Sequence, residues 1–174
     1  MILIGLGSNK SGPWGPPRET VERALAALDR WPLRLAAVSR RIMTAPFGKP
    51  NQPPFVNAVA VIETHLPPDG LMRLLHAIKH RAGRRRGVRW GPRTLDLDLL
   101  DYHGLRRAQA FPMAATRRPL ILPHPGIEER IFVAAPIAEV AARWRHPVSG
   151  RGVAEILRRL KGVHQGAELY TRVH

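Results

Sequence analysis

The run Thr94-Leu95-Asp96-Leu97-Asp98-Leu99-Leu100 alternates polar and apolar residues, and no other stretch restricts the fold of this chain as strongly. A period of two is that of a β-strand, so Leu95, Leu97 and Leu99 must enter a core while Asp96 and Asp98 share the opposite face. Two carboxylates on one face repel each other, and each resists leaving water. A divalent cation would relieve both penalties, because hard oxygen donors suit magnesium. Just before the strand stand Arg84, Arg85, Arg86, Arg89 and Arg93, whose planar cations suit polyphosphate rather than a metal. Carboxylates for magnesium beside arginines for phosphate point to phosphoryl transfer from a nucleotide. Taken separately, the aspartates read equally well as a solvated sheet edge and the arginines as a solvated loop. What sets the block apart is Trp90-Gly91-Pro92, held between the two.

The remaining composition bounds the answer. The 174 residues, 44% hydrophobic and 24% charged, suit a single domain over 1–174 with a sizeable core. No apolar run reaches the roughly 18 residues a transmembrane helix needs, and no membrane partner is expected. Met1 to Gly5 lacks the basic flank and cleavage site of a signal peptide and reads as a strand. Without cysteine there is no disulfide, thiolate nucleophile or thiolate metal site, and a cytoplasmic location is expected. The net charge of +15 favours anionic partners. Yet aromatic residues make up only 6%, and no RNP-like, helix-turn-helix or zinc-finger pattern occurs. The charge therefore supports anionic substrates, and a nucleic-acid partner is not expected.

Strand and helix patterns alternate along the chain. Ile2–Gly7 reads as a buried strand, and Val21, Ala24, Leu25 and Leu28 place a helix over Thr20–Arg30. Leu33–Met43 reads as a second strand. The proline-rich segment Thr44–Pro54 must be loop. Phe55–Glu63 is β-rich, and Pro67-Pro68 opens a helix with Leu71, Leu74, Leu75 and Ile78 as its stripe. After the arginine loop and the aspartate strand, 103–118 reads as an irregular excursion or weak hairpin. Ile121–His124 is extended, Glu128–Ala142 helical with an interruption at Pro136, Val153–Leu160 helical, and Glu168–Val173 a last strand. The order βαββαβ followed by helices predicts an α/β (α+β) protein. Its architecture would be a ferredoxin-like sandwich, a largely antiparallel sheet with flanking helices.

Four blocks together carry a family resemblance. They are Ile4-Gly5-Leu6-Gly7-Ser8-Asn9; Thr44-Ala45-Pro46-Phe47-Gly48 leading to Gln52-Pro53-Pro54-Phe55-Val56-Asn57-Ala58; Gly83-Arg84 through Leu99; and Leu122-Pro123-His124-Pro125 with Arg130 and Phe132. In this order and spacing they resemble the 6-hydroxymethyl-7,8-dihydropterin pyrophosphokinases of folate biosynthesis, over residues 4 to about 140. The resemblance implies a ferredoxin-like fold. It also implies transfer of pyrophosphate from ATP to the hydroxymethyl group of the dihydropterin, with release of AMP. Two Mg²⁺ ions would be held by Asp96 and Asp98. Arg84, Arg86 and Arg93 would be the catalytic arginines, with Arg84 and Arg86 on a lid that closes over ATP. The ATP contacts would further include Arg89, Trp90, Leu99, His124 and Arg130. The pterin would meet the loop Thr44, Ala45, Pro46, Phe47 and Gly48, stack between Phe55 and Phe132, and be read along its edge by Asn57.

The residues give independent reasons for several of these roles. A flat heterocycle needs two aromatic faces and an edge of donors and acceptors, and an amide offers both. Without the resemblance, Phe55 and Phe132 would be core residues and His124 a satisfied loop histidine. Arg85 reads as a solvated charge. Lys79 departs from the resemblance, standing where an acidic residue is expected, and Pro125 follows His124 where relatives can have tyrosine. Gly5-Leu6-Gly7 is no dinucleotide fingerprint, since Lys10 occupies the third glycine position. The alternatives are a basic nucleic-acid-binding α/β module, a magnesium-dependent nuclease on the same aspartates, and a family member with an altered acceptor. The expected partners are ATP and hydroxymethyldihydropterin, met by a monomer.

Overall fold

A computed structural model describes residues 1–46, 51–85, 91–110, 119–163 and 169–172. Its first strand, β1 (Ile2–Ser8), is buried along nearly its whole length. Two proline-led helices follow the same entry rule. The first, α1 (Pro17–Leu28), has Pro17 in its first turn, and α2 (Pro68–Arg81) has Pro68 there. A proline's missing N–H is harmless at that place and its fixed φ suits the helix. This is why α1 begins a turn before the apolar pattern at Thr20 announces it.

Between the helices lie β2 (Arg34–Val38), β3 (Ile42–Thr44) and β4 (Phe55–Glu63). The strand expected over 33–43 is thus two strands. Ser39 makes the break: its amide donates to Val59 O at 2.9 Å and its Oγ accepts from the Val59 amide at 2.9 Å. A side chain thereby takes a place in the ladder that backbone would otherwise fill. Arg40 then turns outward to Glu139, its amide and Nη2 each donating at 2.9 Å.

The aspartate strand is β5 (Asp96–Tyr102). In the sheet, β5, β1, β4, β3 and the terminal β8 (Leu169–Arg172) lie side by side, and β2 also pairs with β4. Every pairing is antiparallel. The excursion after β5 is a separate ribbon of β6 (Arg107–Ala110) and β7 (Pro119–Leu122). A 3-10 turn at Pro125–Ile127 leads into α3 (Ile131–Val140), and α4 (Val153–Val163) follows. The helix expected from Glu128 starts three residues later and runs through Pro136. Pro136 has no amide to return to the Phe132 carbonyl, yet the turn survives because the helix is held by its buried faces.

The two faces of the sheet have separate cores. Ile2, Ile4 and Leu6 of β1, Val56, Ala58, Ala60 and Ile62 of β4, and Leu97 and Leu99 of β5 pack against α1 and α2. Leu3, Val59 and Leu100 pack on the other face against α3 and α4. Parity along each strand therefore decides which helices a side chain meets.

Candidate active site

Parity places the aspartates. Leu97 and Leu99 point toward α1 and α2, so Asp96 and Asp98 point to the face that α3 partly covers. Their partners across the ladder are Gly7 and Gly5 of β1, which present no side chain beside the carboxylates. From β4 the same parity brings Phe55 and Asn57 to this face, at the end where β1 stops, β5 begins and β3 reaches Thr44. Asn57 is buried, and its Nδ2 donates to Thr44 Oγ1 at 2.8 Å. A Cβ on Gly7 would stand 2.9 Å from Asn57 Oδ1, so the amide needs a glycine beneath it. Asn57 thus arrives with one of its two N–H donors engaged and its acceptor held over β1.

The approach to β5 is clasped by Asn9, almost wholly buried at 1% exposure. Its Oδ1 accepts from the Arg93 amide at 2.7 Å, its amide donates to Arg93 O at 3.1 Å, and its Nδ2 donates to Pro53 O at 3.1 Å. Ser8 Oγ donates to Thr94 O at 2.6 Å. Three segments distant in sequence, around 9, 53 and 93, are locked by two short polar residues. Neither Ser8 nor Asn9 received a role from sequence reasoning, because a clasp has no local pattern; only the partners reveal it.

Arg93, fixed by this clasp, forms a short ion pair from Nη1 to Asp96 Oδ2. At the end of α2, Gly83 adopts φ +77°, its amide donating to His80 O at 2.9 Å while the Arg84 amide donates to Lys79 O at 3.0 Å. This paired closure with a left-handed glycine ends the helix and starts Arg84 toward the carboxylates. Arg84 is half-buried, and Arg85 is exposed.

The two carboxylates are driven in opposite directions. For Asp96, burial is the largest influence and favours the acid form. The charges of Lys79, Arg93 and Arg84, with the Arg93 hydrogen bond, outweigh it and hold the group below the usual carboxylate range. For Asp98, burial and then the neighbouring Asp96 charge push the group up, against Lys79, His124 and Arg93. Such a divided pair is the state a hard dication relieves, since it replaces repulsion by shared attraction. Among the described residues no group of three or more histidine, aspartate or glutamate side chains gathers to hold a metal. A magnesium ion here would take its remaining ligands from water and phosphate, which is its usual habit at nucleotide sites.

His124 borders the pair on its far side. Its amide donates to Leu100 O at 2.8 Å, and its Nδ1 accepts from the Gly126 amide at 3.0 Å. Burial foremost, and Arg130 as well, hold its pKa down, against the pull of Asp98. The ring is then neutral with its proton on Nε2, a donor suited to a phosphate oxygen. Arg130 stacks its guanidinium 6.0 Å from the centroid of the Phe132 ring, at the start of α3. Phe132 packs partly against the α3–α4 core, as its reading as a core residue predicts, but on the face shared with Asn57.

Leu99 is 3% exposed and lies in the core against α1 and α2, so its side chain is on the wrong face for a nucleotide and only its main chain remains for contact. Ala45 and Pro46 continue from Thr44 at the rim, whereas Phe47, Gly48, Arg86, Arg89 and Trp90 lie outside the described residues.

An antiparallel sheet of order βαβββαβ, with a carboxylate pair at one strand end beside Arg84, Arg93 and a neutral histidine, is a ferredoxin-like scaffold whose chemistry suits phosphoryl transfer. The family model described as 7,8-dihydro-6-hydroxymethylpterin-pyrophosphokinase matches residues 3–142, and the chain belongs to this family. It is 40% identical over 157 residues to the 2-amino-4-hydroxy-6-hydroxymethyldihydropteridine pyrophosphokinase of Pseudomonas aeruginosa, covering 90% of this chain and 89% of that one. The enzyme of the same name from Bacillus subtilis is 38% identical over 142 residues, 80% of this chain and 77% of that one. Among solved structures, Plasmodium falciparum HPPK-DHPS wild type with SDX-DHP superposes with a TM-score of 0.77 at 12% identity, over 99% of this chain and 47% of that chain. The chain thus spans less than half of that longer protein, and the likeness to it concerns the fold.

Proposed function

We infer that this protein transfers the pyrophosphoryl group of ATP to the hydroxymethyl oxygen of 6-hydroxymethyl-7,8-dihydropterin in folate synthesis, and that the reaction depends on magnesium held by Asp96 and Asp98. The observation that carries the reading is the convergence of Asp96, Asp98, Phe55, Asn57 and Thr44 on one end of one sheet face, in a chain of this family. In the reaction a bond forms between the pterin hydroxymethyl oxygen and the β-phosphorus. The bond from that phosphorus to the α-β bridging oxygen breaks, AMP leaves with the bonding pair, and the hydroxyl proton is released.

The task for the protein is alignment and charge neutralisation. When bound, magnesium would supply Lewis-acid stabilisation of the phosphate oxygens. Arg93 and Arg84 would neutralise phosphate charge as it shifts toward the leaving group, and the Asn9 clasp keeps Arg93 from drifting. His124, proton on Nε2, would donate to ATP beside Arg130. Phe55 and Phe132 would sandwich the pterin, with Asn57 Oδ1 accepting from its edge. We further propose that the enzyme works as a monomer in the cytoplasm. Among the described residues no helix is long and apolar enough to cross a membrane.

The test is AMP formation from ATP by purified protein, with each of ATP, hydroxymethyldihydropterin and Mg²⁺ omitted in turn. AMP only when all three are present supports the reading. ADP as product, or no turnover by folded protein, would mean an altered acceptor on the same scaffold.

A further inference from the structure

Lys79 lies near the end of α2, on the side of the sheet opposite the two carboxylates. Its Nζ passes to the outer edge of β5 and donates to the Leu97 carbonyl at 3.0 Å. Among the described residues β5 is terminal in the sheet, so this carbonyl meets no further strand on that side. Leu97 stands between Asp96 and Asp98, and the hydrogen bond therefore brings a fixed positive charge to the backbone that joins them. That charge acts on both carboxylates, favouring their ionised forms, and it adds to the burial that already disfavours protonation of His76 on the same helix face.

The other cations near the pair are differently placed. Arg93 and Arg84 belong to the segments that precede β5 and are suited to phosphate, and His124 is held neutral. Lys79 is half-buried on a helix and hydrogen-bonded to main chain. Swinging it away would strand a carbonyl.

We propose that Lys79 is a resident counter-cation of the Asp96–Asp98 pair, weakening its hold on a free divalent cation so that the metal enters together with nucleotide phosphates. The proposal rests on the metal reading of that pair. Beyond the charge that Arg93 already offsets at Asp96, an ammonium fixed beside the carboxylates removes one further unit of the attraction a dication would meet, and the ion gains correspondingly less from them. ATP restores the attraction by bringing negative phosphate oxygens that are also ligands.

The experiment is Mn²⁺ binding to nucleotide-free protein, read from loss of the free-ion EPR signal. It compares the natural chain with Lys79→Gln, Lys79→Met, Lys79→Arg and Asp98→Asn, each checked for fold by circular dichroism. Lys79→Gln and Lys79→Met should bind Mn²⁺ about tenfold more tightly, with Lys79→Arg within about twofold of the natural chain. A purely structural role would follow the hydrogen bond instead, leaving Lys79→Gln unchanged and disturbing only Lys79→Met; that pattern overturns the proposal, as does unchanged or weaker binding in both. Asp98→Asn separates the two levels. Mn²⁺ uptake that survives this substitution, with or without a non-hydrolysable ATP analogue, removes the metal reading and the proposal with it. Uptake lost in Asp98→Asn but not tightened in Lys79→Gln removes the counter-cation alone.

Discussion

Asp96 and Asp98 are alike in sequence and opposite in state, and the difference lies in what each faces. Asp96 is paired with Arg93, whereas Asp98 carries the burial and the repulsion with less relief. A carboxyl whose folded pKa is raised destabilises the fold at every pH above that value, and the penalty vanishes below the ordinary carboxylate range. Asp98→Asn should therefore raise the melting temperature of metal-free protein at pH 7 while lowering turnover by about 10³-fold. Calorimetry and the AMP assay check the two halves, and retained turnover would remove Asp98 from the metal site. Arg84→Ala should lower turnover about 10²-fold and leave pterin affinity within about twofold, since it acts on transferring phosphate. A collapse of pterin binding, measured by fluorescence titration, would place Arg84 elsewhere. At this scale the sequence was partly legible: alternation set both aspartates on one strand face after an arginine run, while the roles given to them came from the family resemblance. Lys79 was visible as a departure, but its direction was not, because a helix position does not reveal whether a long side chain reaches round a sheet edge.

Among the elements, the joints decide more than the strands. Asn9 makes hydrogen bonds to two loops that no periodicity connects. Asn9→Ala should destabilise the protein by about 2 kcal/mol, because buried partners lose their bonds. It should also raise the Michaelis constants for both substrates, since the 51–54 and 91–95 segments lose their common anchor. An unchanged denaturation midpoint would show the clasp to be idle. Breaks in the strands were equally hidden. Ser39 divides β2 from β3 by inserting its hydroxyl into the ladder. In β5 the register shifts between its pairings with Leu3 and Ile4, leaving Leu100 as an extra residue. That bulge carries Asp101 to the face of Leu3, where it is 2% exposed and accepts from Trp144 Nε1 at 3.1 Å. Simple alternation would have put it with Leu97 and Leu99.

For the whole molecule, pH is the informative variable. His76, His124 and His146 are each held below the ordinary histidine value of 6.5, in every case by burial first. The unfolded chain then binds more protons than the folded one once the pH falls below that value, so stability is present above it and declines through the acid window beneath. Asp96, held low, extends the loss to more acid pH as it is finally protonated. Asp98, held high, opposes this decline as it takes up its proton, so in Asp98→Asn the melting temperature should be nearly level from pH 8 to about 7 and fall steadily toward pH 5. His146→Gln should flatten part of that fall; a profile flat to pH 5 would contradict the neutral histidines. With a net charge of +15, added salt should also raise the melting temperature by screening self-repulsion.

By itself the sequence determined most of the order of elements, the largely antiparallel ferredoxin-like sheet and the placing of two aspartates on one strand face, and four separated blocks carried the family resemblance. The elements and the aspartate face follow from local periods, and the resemblance from motifs that can be read along the chain without knowing their contacts. The tertiary structure alone decided which sheet face each residue meets, that Leu99 belongs to the core, that Asn9 ties the loops together, and that Lys79 reaches the strand between the aspartates. Each of those depends on contacts between residues far apart in sequence, and on strand registers that one inserted residue can reverse.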